Sequence, residues 1–259
     1  MRYLYHSVCG LVLMYLILPV FVVIPLSFSA SPYLEFPPRG FSLQWYQQFF
    51  GLRTWYGSMI FSAEVAFLTM VLATILGTAA ALGLARAGFR GAEALQTVLI
   101  APMIIPHIII AIAIYGWYAQ LHLIGTLWGL VLIYSVLAVP FVVITVTGAL
   151  QGLDPNLEPA AMALGANRVQ TFFRVVLPNI RPGILAGAIL TFALAFDEIV
   201  IAIFISGTTG TTLPKRMWEG IRTEINPTIA AASTILITVS FVLFALLETL
   251  RRGLARGKR

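Results

Sequence analysis

The chain has 259 residues, of which 59% are hydrophobic and only 10% charged, with a mean hydropathy of +0.94. A soluble domain carries roughly 25% charged residues, so most of this chain needs no water-facing surface and a soluble globular fold is excluded. The net charge of +6 does not point to nucleic acid, because the basic residues cluster at the ends of apolar runs and no aromatic-basic recognition surface stands out.

A membrane span takes about 20 mostly apolar residues. Six segments meet that requirement: 8–28, 58–84, 94–118, 127–150, 183–206 and 228–250. The first holds the single cysteine, Cys9, which excludes an internal disulfide or a zinc site. That run lacks a small-residue cleavage site and reads as a retained span, not a signal peptide. With the N-terminus cytoplasmic, eleven of the sixteen Lys and Arg residues fall inside, among them Arg90, Lys258 and Arg259. Arg39, Arg53, Lys215, Arg216 and Arg222 fall outside. This bias predicts both termini in the cytoplasm, with the basic tail against anionic lipid.

The first external loop, 30–57, carries Trp45, Tyr46, Trp55 and Tyr56, which are expected at the outer interface. In the second span, Glu64 is an acidic residue toward the outer end. The third span contains Pro102 and Pro106. Proline removes a backbone donor and can kink a helix, so these two are expected either to serve packing or to bend the span beside a translocation path. His107 follows directly; a neutral, hydrogen-bonded histidine is favoured over a proton relay.

The internal loop 151–182 is the most informative segment. It reads as two short helices joined at Gly165, where a left-handed C-terminal residue fits. Asn156 is placed to cap the first helix, with Glu158 in its first turn. Asn167 is placed to cap the second. Val169, Phe172, Phe173, Val176 and Leu177 form one apolar stripe, with Arg168, Thr171 and Arg174 off it. Pro178 discourages continuation and Pro182 precedes the fifth span. The pattern fits either an interfacial hairpin without a partner or a docking element for another protein.

Asp197 and Glu198 stand inside the fifth span, with no basic residue there to pair with. Charges in a bilayer are costly and usually face the bundle interior or water. The pair reads as a cation-attracting surface or gate, or as a polar contact between helices. Adjacent helical residues point roughly 100° apart, so the two need not face one cavity. The second external loop, 207–227, carries two Gly-Thr-Thr units and a mixed-charge stretch.

No G-x-x-x-x-G-K-[S/T] loop appears, nor G-x-S-x-G, H-E-x-x-H or paired cysteines. The chain therefore reads as a non-enzyme, without a cofactor or metal of its own.

The segment from Asp154 to Pro182 resembles the "EAA" loop of ABC importer permeases. Ala160, Ala161, Gly165, Ala166, Phe172, Leu177, Pro178 and Pro182 stand in register with that pattern. Pro159 occupies the place of the pattern's glutamate, and Glu158 lies one residue earlier. Three further pieces resemble the spermidine/putrescine-type branch: Pro102 to His107, Phe192 to Glu198 and Leu213 to Trp218.

The resemblance implies an all-α, six-span permease of the type I ABC importer fold, forming a single domain over 1–259. It implies a bacterial inner-membrane location and a partner ATPase that binds ATP. That ATPase would dock on Glu158, Ala160, Ala161, Gly165, Ala166, Phe172, Leu177 and Pro178. It also implies a second homologous permease, an external substrate-binding protein and a small cationic, polyamine-like solute. Asp197, Glu198, Glu64 and His107 are the candidate lining of the path. Two rivals stay open: a proton-coupled secondary transporter, although no internal repeat is visible, and a non-transporting scaffold.

Overall fold

A computed structural model describes residues 2–86, 91–207, 210–223 and 225–256. Arg90, Thr208, Thr209, Lys258 and Arg259 lie outside the described residues. Among those described, the elements are helical apart from one isolated bridge between Ser29 and Phe41.

In chain order the helices are α1 (Arg2–Ser27), α2 (Gln44–Gly51), α3 (Arg53–Ala85), α4 (Ala92–Ile100) and α5 (His107–Gln120). They continue with α6 (Leu127–Gln151), α7 (Leu157–Ala163), α8 (Arg168–Thr171), α9 (Leu177–Asp197) and α10 (Val200–Ile205). The last two are α11 (Leu213–Thr223) and α12 (Thr228–Arg256). Among the described residues, five helical runs are long and apolar enough to cross a membrane: Tyr5–Ser27, Arg53–Ala85, Leu127–Gln151, Arg168–Asp197 and Thr228–Leu246. The third span of the sequence is instead a broken pair, Ala92–Met103 and His107–Gln120, bent by 97°.

The break falls where the prolines predict it. A proline pushes the residue before it out of helical geometry, and Pro106 itself is extended, with φ −54° and ψ 129°. Pro19, Pro25 and Pro140 remain inside continuous helices. The fifth span is also broken. Helix α9 ends at Asp197, Glu198 is extended with ψ 116°, and α10 restarts at Val200.

The fifth span begins earlier than its composition predicts. Residues Arg168–Asp197 form one helical run that passes through Pro178 and Pro182. The expected stop at Pro178 does not occur. A π-helical turn, Phe172–Val176, precedes it, and Pro178 then falls in the opening turn of α9, where a missing N–H costs little.

The chain divides into two compact units, Met1–Ile60 with Leu213–Ser240, and Phe61–Thr212 with Phe241–Arg259. In the first, the loop after α1 is held by side-chain hydrogen bonds to backbone carbonyls. The Trp45 indole donates to the Ser29 carbonyl at 2.7 Å, and the Gln44 amide donates to the Ala30 carbonyl at 3.0 Å. Trp55, expected at the interface, is instead a core residue, 6% exposed. It packs against Phe49, and the Arg216 guanidinium lies 5.7 Å from its ring centroid. Burying a ring that size removes far more apolar area than an interface position would.

In the second unit, α6 is central, with twelve of its residues buried. Helix α9 packs on it through Gly183 and Gly187, a small-xxx-small pair that lets backbones approach closely. A Cβ at Gly183 would lie 2.6 Å from the Thr145 carbonyl oxygen. At Gly187 it would lie 3.0 Å from the Val142 Cα. Ala81, Val142, Val146, Val176 and Ile180 close the core at the end nearest α7 and α8, with Phe172 packed against them.

Candidate functional site

The breaks in the third and fifth spans meet at one carboxylate. His107 is the first residue of α5, immediately after the bend. Its Nδ1 lies 2.7 Å from Glu198 Oε2. Glu198 Oε1 accepts from the Ile201 N–H at 3.0 Å, in the first turn of α10. The Tyr134 hydroxyl, from α6, donates to the Glu198 backbone carbonyl at 3.1 Å. Every oxygen of Glu198 thus has a partner, and the side chain is 8% exposed. This is how an acidic residue is accommodated in an apolar span, since burial of a carboxylate is costly unless its lone pairs are taken.

Asp197 is placed differently. It ends α9, is exposed, and its side chain makes no hydrogen bond or ion pair among the described residues. The two neighbours have different surroundings because the helix ends between them, Glu198 being extended, and not through the 100° spacing of a continuous helix. Glu64 is exposed on α3 and does not join the His107–Glu198 cluster. The favoured reading of His107, a hydrogen-bonded histidine, matches its contact with Glu198. Tyr134 and Ile201 carried no signal in the sequence: one is an aromatic in an apolar helix, and the other acts through its backbone.

Within 151–182 the first expected short helix is α7, whereas the second is not separate: α8 opens the continuous run Arg168–Asp197. Gly165 has φ +89° and turns the chain between α7 and α8. Asn167 and Gln170 make a reciprocal capping box, at 2.8 and 3.1 Å. Asn156 does not cap α7 with its side chain. Asp154 Oδ1 accepts instead from the Asn156 backbone N–H at 2.9 Å and from its side-chain amide at 3.1 Å. An aspartate two residues ahead makes this local turn and competes with the cap. Arg86, beyond the end of α3, reaches Glu158 Oε2 at 3.0 Å.

The apolar stripe is divided. Val176 is fully buried and Phe172 packs on the core, while Val169 and Phe173 are 65% and 59% exposed. Thr171, expected off the stripe, is 2% exposed. The π-helical turn changes the angular spacing, so a stripe drawn for an α-helix does not stay on one face. With Leu164, 90% exposed, Val169 and Phe173 leave bare apolar side chains on the α7–α8 pair. Ala160 and Ala161 lie within α7, Ala166 follows the turn, and Leu177 and Pro178 open α9.

The model of the binding-protein-dependent transport system inner membrane component matches residues 73–256. The chain belongs to that family. It is therefore a permease subunit of an ABC importer, a transport component with the type I importer permease fold. The spermidine/putrescine transport system permease protein PotC of Haemophilus influenzae is 31% identical, with 92% of each chain covered. The putrescine transport system permease protein PotI of Escherichia coli is 32% identical, over 86% of this chain and 82% of that one. Among solved structures, a chain of a bacterial ABC transporter that imports alginate superposes with a TM-score of 0.74. It covers 96% of this chain and 95% of that one, at 13% identity. The MetNI methionine transporter matches with a TM-score of 0.64, over 77% and 95%, at 19% identity.

Proposed function

We propose that this permease subunit forms half of the path of an ATP-driven importer for a small, cationic, polyamine-like solute. A second, homologous permease supplies the other half. A cytoplasmic ATPase docks on the α7–α8 pair, and an external binding protein delivers the solute. The subunit lies in the bacterial inner membrane with both termini cytoplasmic. The bare side chains of Leu164, Val169 and Phe173 support docking, and the lack of any phosphate-cradling loop supports a separate ATPase. The names of the polyamine permeases to which the chain is similar support the solute class.

The observation that carries the reading is Asp197. It is a carboxylate at a break in a span, exposed and without a hydrogen-bond or ion-pair partner among the described residues, beside a glutamate whose oxygens each have a partner. A cation in transit would compensate that charge where it leaves water. The test is uptake of radiolabelled putrescine and spermidine by the complete transporter in proteoliposomes. Asp197→Asn keeps shape and removes charge, and uptake is expected to fall by about tenfold or more. Normal uptake by an Asp197→Asn transporter that assembles normally would remove the physical support for a cationic solute.

A further inference from the structure

We propose that His107 and Glu198 form a clasp that joins the two broken spans, and that Glu198 is a positioning residue, not a solute ligand. This rests on the transport role proposed above and divides the labour of its two acidic residues. The starting point is the geometry of the breaks. Helix α5 begins at His107, just past the 97° bend, and the chain between α9 and α10 is extended at Glu198. A break leaves backbone groups without helical partners, which a membrane tolerates only where neighbours repair them. Here one side chain repairs the backbone at one break and ties that break to the other. Glu198 Oε1 takes the Ile201 N–H of α10, and Oε2 takes His107 at the head of α5. Tyr134 of α6 fixes the carbonyl of the same residue.

Two consequences follow. Both carboxylate oxygens already have partners and the side chain is 8% exposed, so an incoming ammonium group finds Asp197 open and Glu198 enclosed. The contact, 2.7 Å long, pins the head of α5 to the break before α10, so removing it loosens that junction while the two half-helices stay packed on each other. The clasp therefore acts on the conformational step of transport, and Asp197 acts on solute recognition.

The experiment compares maximal rate and KM for binding-protein-dependent putrescine uptake by the complete transporter in proteoliposomes. Glu198→Gln keeps both contacts: its carbonyl oxygen accepts from Ile201, and its amide donates to a neutral His107 Nδ1. Its uptake is expected within about threefold of the parent, the scale of a hydrogen bond that loses its charge but not its geometry. His107→Asn, whose amide nitrogen can take the place of Nδ1, is expected to behave likewise. His107→Leu is expected to lower the maximal rate at least about tenfold with KM unchanged, because a buried carboxylate oxygen loses its partner. Adding Glu198→Ala to His107→Leu is expected to cost little more than either change alone, as for residues that act as one unit.

Normal transport by His107→Leu would overturn the clasp. So would a Glu198→Gln transporter that assembles but shows a raised KM, since that would make Glu198 a solute ligand. The two proposals fail separately. A silent Asp197→Asn removes the cation reading and leaves the clasp standing, whereas a silent His107→Leu does the reverse.

Discussion

Arg86 Nη2 lies 3.0 Å from Glu158 Oε2, which ties the chain leaving α3 to the first turn of α7. Both side chains are partly exposed, at 54% and 33%, so the pair contributes little to stability, within about 1 kcal/mol. Its value is positional. If α7 docks the ATPase as proposed, this contact carries movement between the second span and the docking surface. Arg86→Glu is expected to reduce substrate-stimulated ATP hydrolysis in the reconstituted complex by about threefold to tenfold. Combining Arg86→Glu with Glu158→Arg is expected to restore much of it. A swap that restores nothing would show that the two residues act independently.

Gly165 supports a second prediction. Its φ of +89° is a conformation that side chains rarely adopt, and no atom lies within 4 Å of where a Cβ would sit. The strain of a substitution there is therefore purely conformational, about 1–2 kcal/mol for an ordinary residue and more for a β-branched one. Gly165→Val is expected to shift α7 relative to α8 and abolish substrate-stimulated hydrolysis while the protein still inserts. Gly165→Asn, which tolerates the left-handed region, is expected to retain most of it. Equal loss in both variants would place the defect in crowding by a docked partner and not in the turn.

The sequence revealed what depends on residue type and local spacing. The six apolar runs, the bend at Pro106, the glycine turn and the Asn167 cap each follow from a chemical property of one residue or one period. The sequence did not reveal what depends on contacts between distant segments. Glu198 and His107 are 91 positions apart, and nothing in either span shows that they meet. Tyr134 looks like an ordinary apolar position and Trp55 like an interfacial aromatic until the fold places a carbonyl beside one and Phe49 beside the other. The stripe across 169–177 was misread in part because the spacing assumed an α-helix, and a π-helical turn rotates the residues beyond it. Phe173, within that turn, is exposed, and Thr171, just ahead of it, is buried.

The orientation of the termini rests on the distribution of basic residues alone. A replacement of Arg39, whose side chain is 81% exposed in the loop between α1 and α2, by cysteine is expected to react with a membrane-impermeant maleimide in intact cells. A cysteine at Arg168, exposed at the start of α8, is expected to react only after permeabilisation. The experiment is done in a Cys9→Ser background and without the ATPase subunit, so that neither the native thiol nor a docked partner confuses the result. Labelling of position 168 from outside would invert the assignment and with it the proposed cytoplasmic docking site.

Phe172 and Phe173 provide the sharpest contrast within the proposed docking loop. They are adjacent, and their rings are edge to face with centroids 5.0 Å apart, yet their surroundings differ. Phe172 packs against the core formed by Ala81, Val142, Val146, Val176 and Ile180. Phe173 is 59% exposed. Truncating a phenylalanine packed on a core costs about 2–4 kcal/mol, from lost burial and the cavity left behind. Phe172→Ala is therefore expected to lower the thermal stability of the detergent-solubilised permease by several degrees, even without its partners. Phe173→Ala removes little that the isolated chain buries, and its stability is expected to remain within about 0.5 kcal/mol of the parent. Its effect should appear only when the ATPase is present. An exposed aromatic that fills a pocket on a partner contributes about 2 kcal/mol or more to binding, so co-purification of the ATPase with the Phe173→Ala permease is expected to fall by at least about tenfold. Undiminished capture of the ATPase by that variant, together with normal stimulated hydrolysis, would show that the exposed half of the stripe faces lipid or solvent and is not part of the docking surface.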